Sequence, residues 1–147
     1  MEWNDTRTDD PLDRCLPQLF EDQVGRTPQA IAAEAQGAVL TYAELNLRAN
    51  QLAHHLRSCG VGPDTVVAIL MERSLDLLTC LLGIMKAGGA YLPLDTALPS
   101  KRVSFMLENS GAALLLTQGT FAETLPTHHV RVMNLDSERQ YFARQSA

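Results

Sequence analysis

Apolar residues recur at helical spacing in four stretches of this chain and run almost unbroken in four others. From Cys15 to Arg26, Leu16, Leu19, Phe20 and Val24 share one side of a helix, with Pro17 tolerable in the first turn. Thr27-Pro28 ends it, because the residue before a proline disfavours helical geometry. Extended pieces at Ala30–Ala35 and Ala38–Leu40, joined through Gln36-Gly37, predict a small hairpin. Thr41 to Leu56 is the clearest helix. Thr41 and Glu44 have the T-x-x-E spacing of a capping box, and Leu45, Ala49, Leu52, Ala53 and Leu56 fall on one face. Gly60 supplies the stop, and Gly62-Pro63-Asp64 a turn.

From Val66 onward, strands alternate with helices. Val66–Met71 is a continuous apolar run with β-branched residues, as suits a strand covered on both faces. Ser74 caps the next helix, Leu75–Ala87. Leu81 to Asp95 (LLGIMKAGGAYLPLD) then joins helix end, glycine stop and strand with almost no connector. Leu81, Leu82, Ile84 and Met85 are expected on one side of the helix, pressing on a sheet. Lys86 complements the negative end of the helix dipole, and both Gly88 and Gly89 are expected at positive φ. Ala90–Leu94 reads as a strand, with Pro93 where a missing N–H is tolerable. Pro99-Ser100 opens a helix to about Ser110, with Val103, Met106 and Leu107 inward and Gly111 as its stop. Ala113–Thr117 and Val130–Leu135 are further strands, and 118–129 fits a short helix or a loop. The final ERQYFARQSA fits the start of another helix. This alternation predicts an α/β fold, a mostly parallel sheet with packed helices.

Totals change this picture little. A chain of 147 residues with 46% hydrophobic and 20% charged residues can bury one core. A formal charge of −5 argues against nucleic acid or an anionic membrane as partner, leaving a local basic patch open. The three cysteines lack C-x-x-C spacing, which predicts free thiols and a cytoplasmic location; Cys80 reads as a buried structural thiol. No apolar run is long enough for a membrane span. Residues 1–14 are polar and acidic and read as an arm or linker, in which Trp3 is either an anchor or part of a loose tail.

Candidate chemistry is sparse. Ligands of open α/β sheets bind beyond the carboxyl ends of the strands. Those positions hold Glu72, Arg73 and Ser74, then Asp95 and Thr96, then Gln118, Gly119 and Thr120. Glu72 and Arg73 read as a solvated turn, and Asp95 as a cap or turn residue. The chain has no G-x-x-x-x-G-K-[ST] phosphate loop and no G-x-S-x-G elbow. The pairs His54-His55 and His128-His129 are adjacent, whereas a zinc site prefers i, i+4 spacing, so they read as surface histidines. No catalytic, cofactor-binding or metal residue can be nominated.

Several stretches together do resemble one family. Leu40–Leu56 (LTYAELNLRANQLAHHL) resembles the first core motif of adenylation domains of nonribosomal peptide synthetases, and Leu81–Asp95 resembles their second. Val61–Leu78 is similar to the segment between the two motifs, and Lys101–Gln118 to the segment after the second. The resemblance runs from about Trp3 to Leu135, and Trp3-Asn4-Asp5-Thr6 resembles the W-N-x-T junction after a condensation domain. One departure comes after Asp95, where the family runs Pro, any residue, Tyr, Pro and this chain has Thr96, Ala97, Leu98 and Pro99.

The resemblance implies an interdomain linker over 1–14 and, over 15–147, the front part of the large N-terminal subdomain of an adenylate-forming enzyme. It also implies a family that activates an amino acid with ATP and magnesium and loads it on a phosphopantetheine thiol. That family's catalytic groups lie further along its chain. The expectation is therefore a truncated product or fragment, inactive alone, that binds no cofactor itself. Its partners would be the rest of the domain and neighbouring condensation and carrier modules. Two alternatives stay open: a noncatalytic interaction protein derived from such a domain, or a piece of another adenylate-forming enzyme such as an acyl-CoA synthetase.

Overall fold

The computed structural model describes residues 15–119, 121–124 and 130–137. The N-terminal arm with Trp3, Thr120, the His128-His129 pair and the expected last helix lie outside the described residues. The chain order is α1 (Leu16–Arg26), β1 (Ile31–Ala35), β2 (Ala38–Thr41), α2 (Tyr42–Ser58), β3 (Val66–Leu70), α3 (Leu75–Lys86), β4 (Ala90–Leu94), α4 (Ser100–Ser110), β5 (Leu114–Thr117) and β6 (Arg131–Asn134). A short 3-10 turn, Phe121–Thr124, occupies part of the stretch that fits either a helix or a loop by sequence.

β1 and β2 form an antiparallel hairpin. Gln36 (φ 52°) and Gly37 (φ 79°) both take left-handed geometry, the two-residue turn whose twist matches that of the strands it joins. β3 to β6 form a separate sheet, ordered β4-β3-β5-β6 and parallel throughout. The central strands are apolar because both faces are covered. Val67, Ile69, Leu114 and Leu116 meet α2 and α3 on one side, whereas Ala68, Leu70 and Leu115 meet Val103 and Leu107 of α4 on the other. Each Leu or Ile removed from water here contributes about 1.5–3 kcal/mol.

The helix ends follow from their cap residues. Thr41 Oγ1 accepts from the Glu44 N–H at 3.2 Å, and Glu44 Oε2 accepts from the Thr41 N–H at 3.0 Å, closing the capping box. Ser74 Oγ accepts from the Leu77 N–H at 3.2 Å. α2 and α3 terminate alike. Gly60 donates to Arg57 O and Val61 to Leu56 O, while Gly88 donates to Met85 O and Gly89 to Ile84 O, all at 3.0 Å. These paired bonds satisfy the last carbonyls and need a left-handed residue, supplied at α3 by Gly88 with φ 89°.

Three expectations need correction. Gly89 is not at positive φ. Its constraint is space, since a Cβ there would lie 2.9 Å from Val61 Cγ1 and 3.3 Å from Thr65 O. α3 does not bury one side but two: Cys80, Ile84 and Ala87 face the sheet, while Leu82 joins Leu45 and Ala49 of α2 with Leu78 and Met85. Gly83 makes the second contact possible, because a Cβ there would come 2.9 Å from Leu52 Cδ2. Finally, the apolar side of α1 is shallow. None of its residues is buried and Leu16 is 57% exposed, because Phe20 is the α1 residue that packs against the α2–α3 cluster.

Cys80 is fully buried, as expected, and all three cysteines are free thiols. Burial pushes the Cys80 thiol well above its ordinary value of 9.0, and the Asp76 carboxylate adds to the rise. The unfolded chain therefore loses this proton first. The stability that Cys80 contributes is intact below the ordinary thiol pKa and falls as pH climbs above it. Urea unfolding at pH 7 to 10.5 should show this alkaline loss, and Cys80→Ala should reduce it while lowering the midpoint at neutral pH. The same assay should give a loss of about 1 kcal/mol for Thr41→Ala. Gly89→Ala should cost about 1–3 kcal/mol, because Val61 and the Thr65 carbonyl leave no room for a methyl.

Candidate functional site

The order β4-β3-β5-β6 reverses direction between β3 and β5. The β3–α3–β4 crossover runs one way with its helix on one face, and β4–α4–β5 returns with its helix on the other. Such a reversal opens a crevice beyond the carboxyl ends of the two strands, the usual ligand position in this architecture. Here it brings together the ends of β3 and β5, hence Glu72, Arg73 and Ser74 with Gln118 and Gly119. Asp95, at the end of the flanking strand β4, stands apart. Its Oδ1 accepts from the Ala97 N–H at 2.9 Å, so it is the turn residue that the sequence suggests. That bond shapes the loop in which Thr96 and Leu98 stand where the resemblance would place a proline and a tyrosine.

The crevice is closed by its own hydrogen bonds. The buried Thr117 hydroxyl donates to Leu70 O at 2.8 Å, pinning β5 to β3 where the strands end. Gln118 Nε2 donates to Asp76 Oδ2 at 3.0 Å, tying β5 to the first turn of α3. The Gly119 N–H donates to Asp136 Oδ2 at 2.9 Å, and Asn134 Nδ2 donates to Gly119 O at 3.1 Å. Asn134 Oδ1 in turn accepts from the Asp136 N–H at 2.9 Å. Sequence reading nominates Gln118 and Gly119 but misses Asp76, Asn134 and Asp136, whose partners lie 15 to 42 residues away along the chain.

Two backbone N–H groups at this edge that a phosphate would seek are already engaged. A phosphate seeks backbone N–H groups at a glycine turn or helix start. The Gly119 N–H is taken by a carboxylate, and the Leu77 N–H by Ser74 Oγ. Asp76 and Asp136 would repel an anion further. Among the described residues no group of three His, Cys, Asp or Glu side chains is placed to hold a metal ion. His54 is exposed as expected, but His55 is only 5% exposed. Adjacent helix residues point about 100° apart, so one of the pair turns inward, where its Nε2 lies 3.8 Å from Cys59 Sγ.

A second concave feature, a cleft of about 330 Å³, lies where α1 meets the ends of α2 and α3, with Ala53 and Met85 beside Glu21, His54, Arg57 and Lys86. The Lys86 side chain is 5% exposed, its ammonium 2.5 Å from Glu21 Oε1 and 5.8 Å from the Phe20 ring centre. The Arg57 guanidinium donates to the Lys86 carbonyl, so a cation does meet the end of α3, from α2. Lys86 thus does more than complement a dipole. Its contact with Glu21 spans 65 residues, and no local spacing signals it. These groups hold α1 against the body of the domain, and the free thiol of Cys15 and the His54 imidazole also line the cleft.

Comparison with known proteins agrees with this architecture. The AMP-binding enzyme family model matches residues 20–145. A linear gramicidin synthase of Brevibacillus parabrevis is 49% identical over 138 residues, covering 94% of this chain and 2% of that protein. The nonribosomal peptide synthetase FmoA3 superposes with a TM-score of 0.85 at 38% identity, over 99% of this chain and 15% of the FmoA3 chain. FmoA3 has also been solved with α-methyl-L-serine-AMP and with AMPPNP bound. The N-terminal subdomain of Klebsiella oxytoca NpsA gives a TM-score of 0.82 at 25% identity, over 91% of this chain and 34% of that one. The chain thus spans a small share of each relative's length. It belongs to the AMP-binding enzyme family, and within that family its sequence and fold are those of the front of a nonribosomal peptide synthetase adenylation domain.

Proposed function

We propose that this chain supplies scaffold to an adenylation domain that activates an amino acid with ATP, forming an aminoacyl adenylate and releasing pyrophosphate. The carboxylate oxygen of the amino acid attacks the α-phosphorus, and pyrophosphate leaves with the electron pair of the broken P–O bond. The aminoacyl group then passes to a phosphopantetheine thiol. The observation that carries the reading is 49% identity over 94% of this chain to a linear gramicidin synthase. The bound adenylate and AMPPNP forms of FmoA3 support the nucleotide chemistry for the whole domain.

Within such a domain, this chain's residues serve as scaffold, and no catalytic, nucleotide-binding or metal-binding residue is assigned to them. The hydrogen bonds at the carboxyl edge of the sheet support that assignment, since they engage Gln118, the Gly119 N–H and Asn134 in holding strand ends together. Magnesium and ATP are held by the rest of the domain. Residues 1–14 serve as the linker from a preceding condensation domain, and 15–147 as part of the large N-terminal subdomain, working in the cytoplasm beside condensation and carrier modules.

Amino-acid-dependent ATP–pyrophosphate exchange tests the reading. The purified chain should give no exchange above background with any of the twenty common amino acids. Mixed with the downstream portion of a related adenylation domain, it should restore exchange that neither piece shows alone. Robust exchange by this chain on its own would contradict the proposal.

A further inference from the structure

The β1–β2 hairpin packs one face and leaves the other bare. Leu40, 2% exposed, and Ala32 enter the cluster formed with α2 and α3. Along the hairpin, Ala35 pairs with Ala38, Glu34 with Val39 and Ala33 with Leu40, but Ile31 pairs with Thr41. Two steps along β1 therefore match a single step along β2, and Ala32 is the extra residue of a bulge. Strict alternation from Ala33 would turn Ile31 inward beside Leu40. The bulge turns it outward instead, onto the face of Thr41 and Val39. Bulges re-aim side chains and are built features rather than defects. This one leaves Ile31 62% exposed and Val39 47% exposed as diagonal neighbours, with the exposed Glu34 alongside.

With the chain taken as the front of an adenylation domain, we infer that this outer hairpin face is the docking surface for the part of the domain that lies beyond the chain. It presents to that part an aliphatic contact formed by Ile31 and Val39. Three observations favour this occupant. The chain spans only 34% of an NpsA N-terminal subdomain of the same fold, so the greater part of such a subdomain is available to cover it. The central strands β3 and β5 already have both faces covered, whereas the hairpin has one face bare. A two-stranded hairpin is also marginal by itself and calls for further packing. A second copy of the chain fits less well, because pairing this small patch with itself would bring two Glu34 carboxylates into one interface.

Sedimentation of the purified chain with a separately expressed partner tests the surface. The partner is the downstream portion of the linear gramicidin synthase adenylation domain that matches this chain at 49% identity. Ile31→Lys and Val39→Lys should each weaken association by about tenfold or more while leaving the chain's own urea midpoint unchanged. Ile31→Ser should do the same if lysine disturbs the fold. Phe105→Lys, at a residue 59% exposed on α4 across the sheet, should leave association at the wild-type level. Wild-type association by the hairpin variants would overturn the surface while leaving the proposed function standing. Absence of any association by the wild-type chain would overturn both. Self-association that Ile31→Lys abolishes, without binding to the downstream portion, would make the occupant a second copy and overturn the assignment.

Discussion

Every other element depends on α3 being buried on two sides at once. Cys80, Ile84 and Ala87 cover the sheet, while Leu82 and Gly83 meet α2 across an approach too close for a further methyl group. α3 thereby joins two clusters that would otherwise be separate cores. Its end is equally constrained. Gly88 reverses the chain at φ 89°, Gly89 slips beneath Val61, and the Ala90 N–H donates to Thr65 O at 2.8 Å, so β4 pairs with β3 without slack. A shift of α3 would move the register of β4, the shelf for α2 and the seat of α1 together. The lysine in its last turn extends the same logic outward, since its contact with Glu21 is what α1 has in place of a buried apolar face.

The second core motif is therefore conformational in its effect. Capping, a left-handed stop, two close glycine contacts and an edge strand account for its residues without any reacting group. Pro93 suits β4 because that strand lies at the edge of the described sheet. The crevice between β3 and β5 tells a matching story. It lies where ligands of this architecture bind, yet Thr117, Gln118, Gly119, Asn134 and Asp136 use their hydrogen bonds to hold strand ends and loops together. A crevice satisfied by its own side chains positions neighbouring structure rather than a substrate.

Much of this fold is legible in the sequence because local physics writes it there. The T-x-x-E capping box, the Gln36-Gly37 turn, the Ser74 cap and the apolar run of β3 each depend on residues a few positions apart, and each appears where expected. The errors share a cause. Local reading gives Gly89 a backbone role although its neighbour Val61 sets a steric one, and gives α3 one face although the second is defined by α2. It places His55 at the surface although its spacing of three from Leu52 puts it on the buried face of α2. The hydrogen bonds of Asp136 and the Glu21–Lys86 contact join positions 17 and 65 residues apart, beyond any periodicity. The outward turn of Ile31 depends on a bulge that alternation alone does not announce.

On the proposed function, this chain is scaffold whose crevice hydrogen bonds hold strand ends together, and nucleotide recognition belongs to the rest of the domain. Calorimetric titration of the purified chain with ATP and magnesium tests it most directly. The expected result is no saturable heat and no shift of the unfolding midpoint at millimolar nucleotide. Saturable binding that Asp136→Ala strengthens, by freeing the Gly119 N–H, would place a phosphate site in the β3–β5 crevice and contradict it.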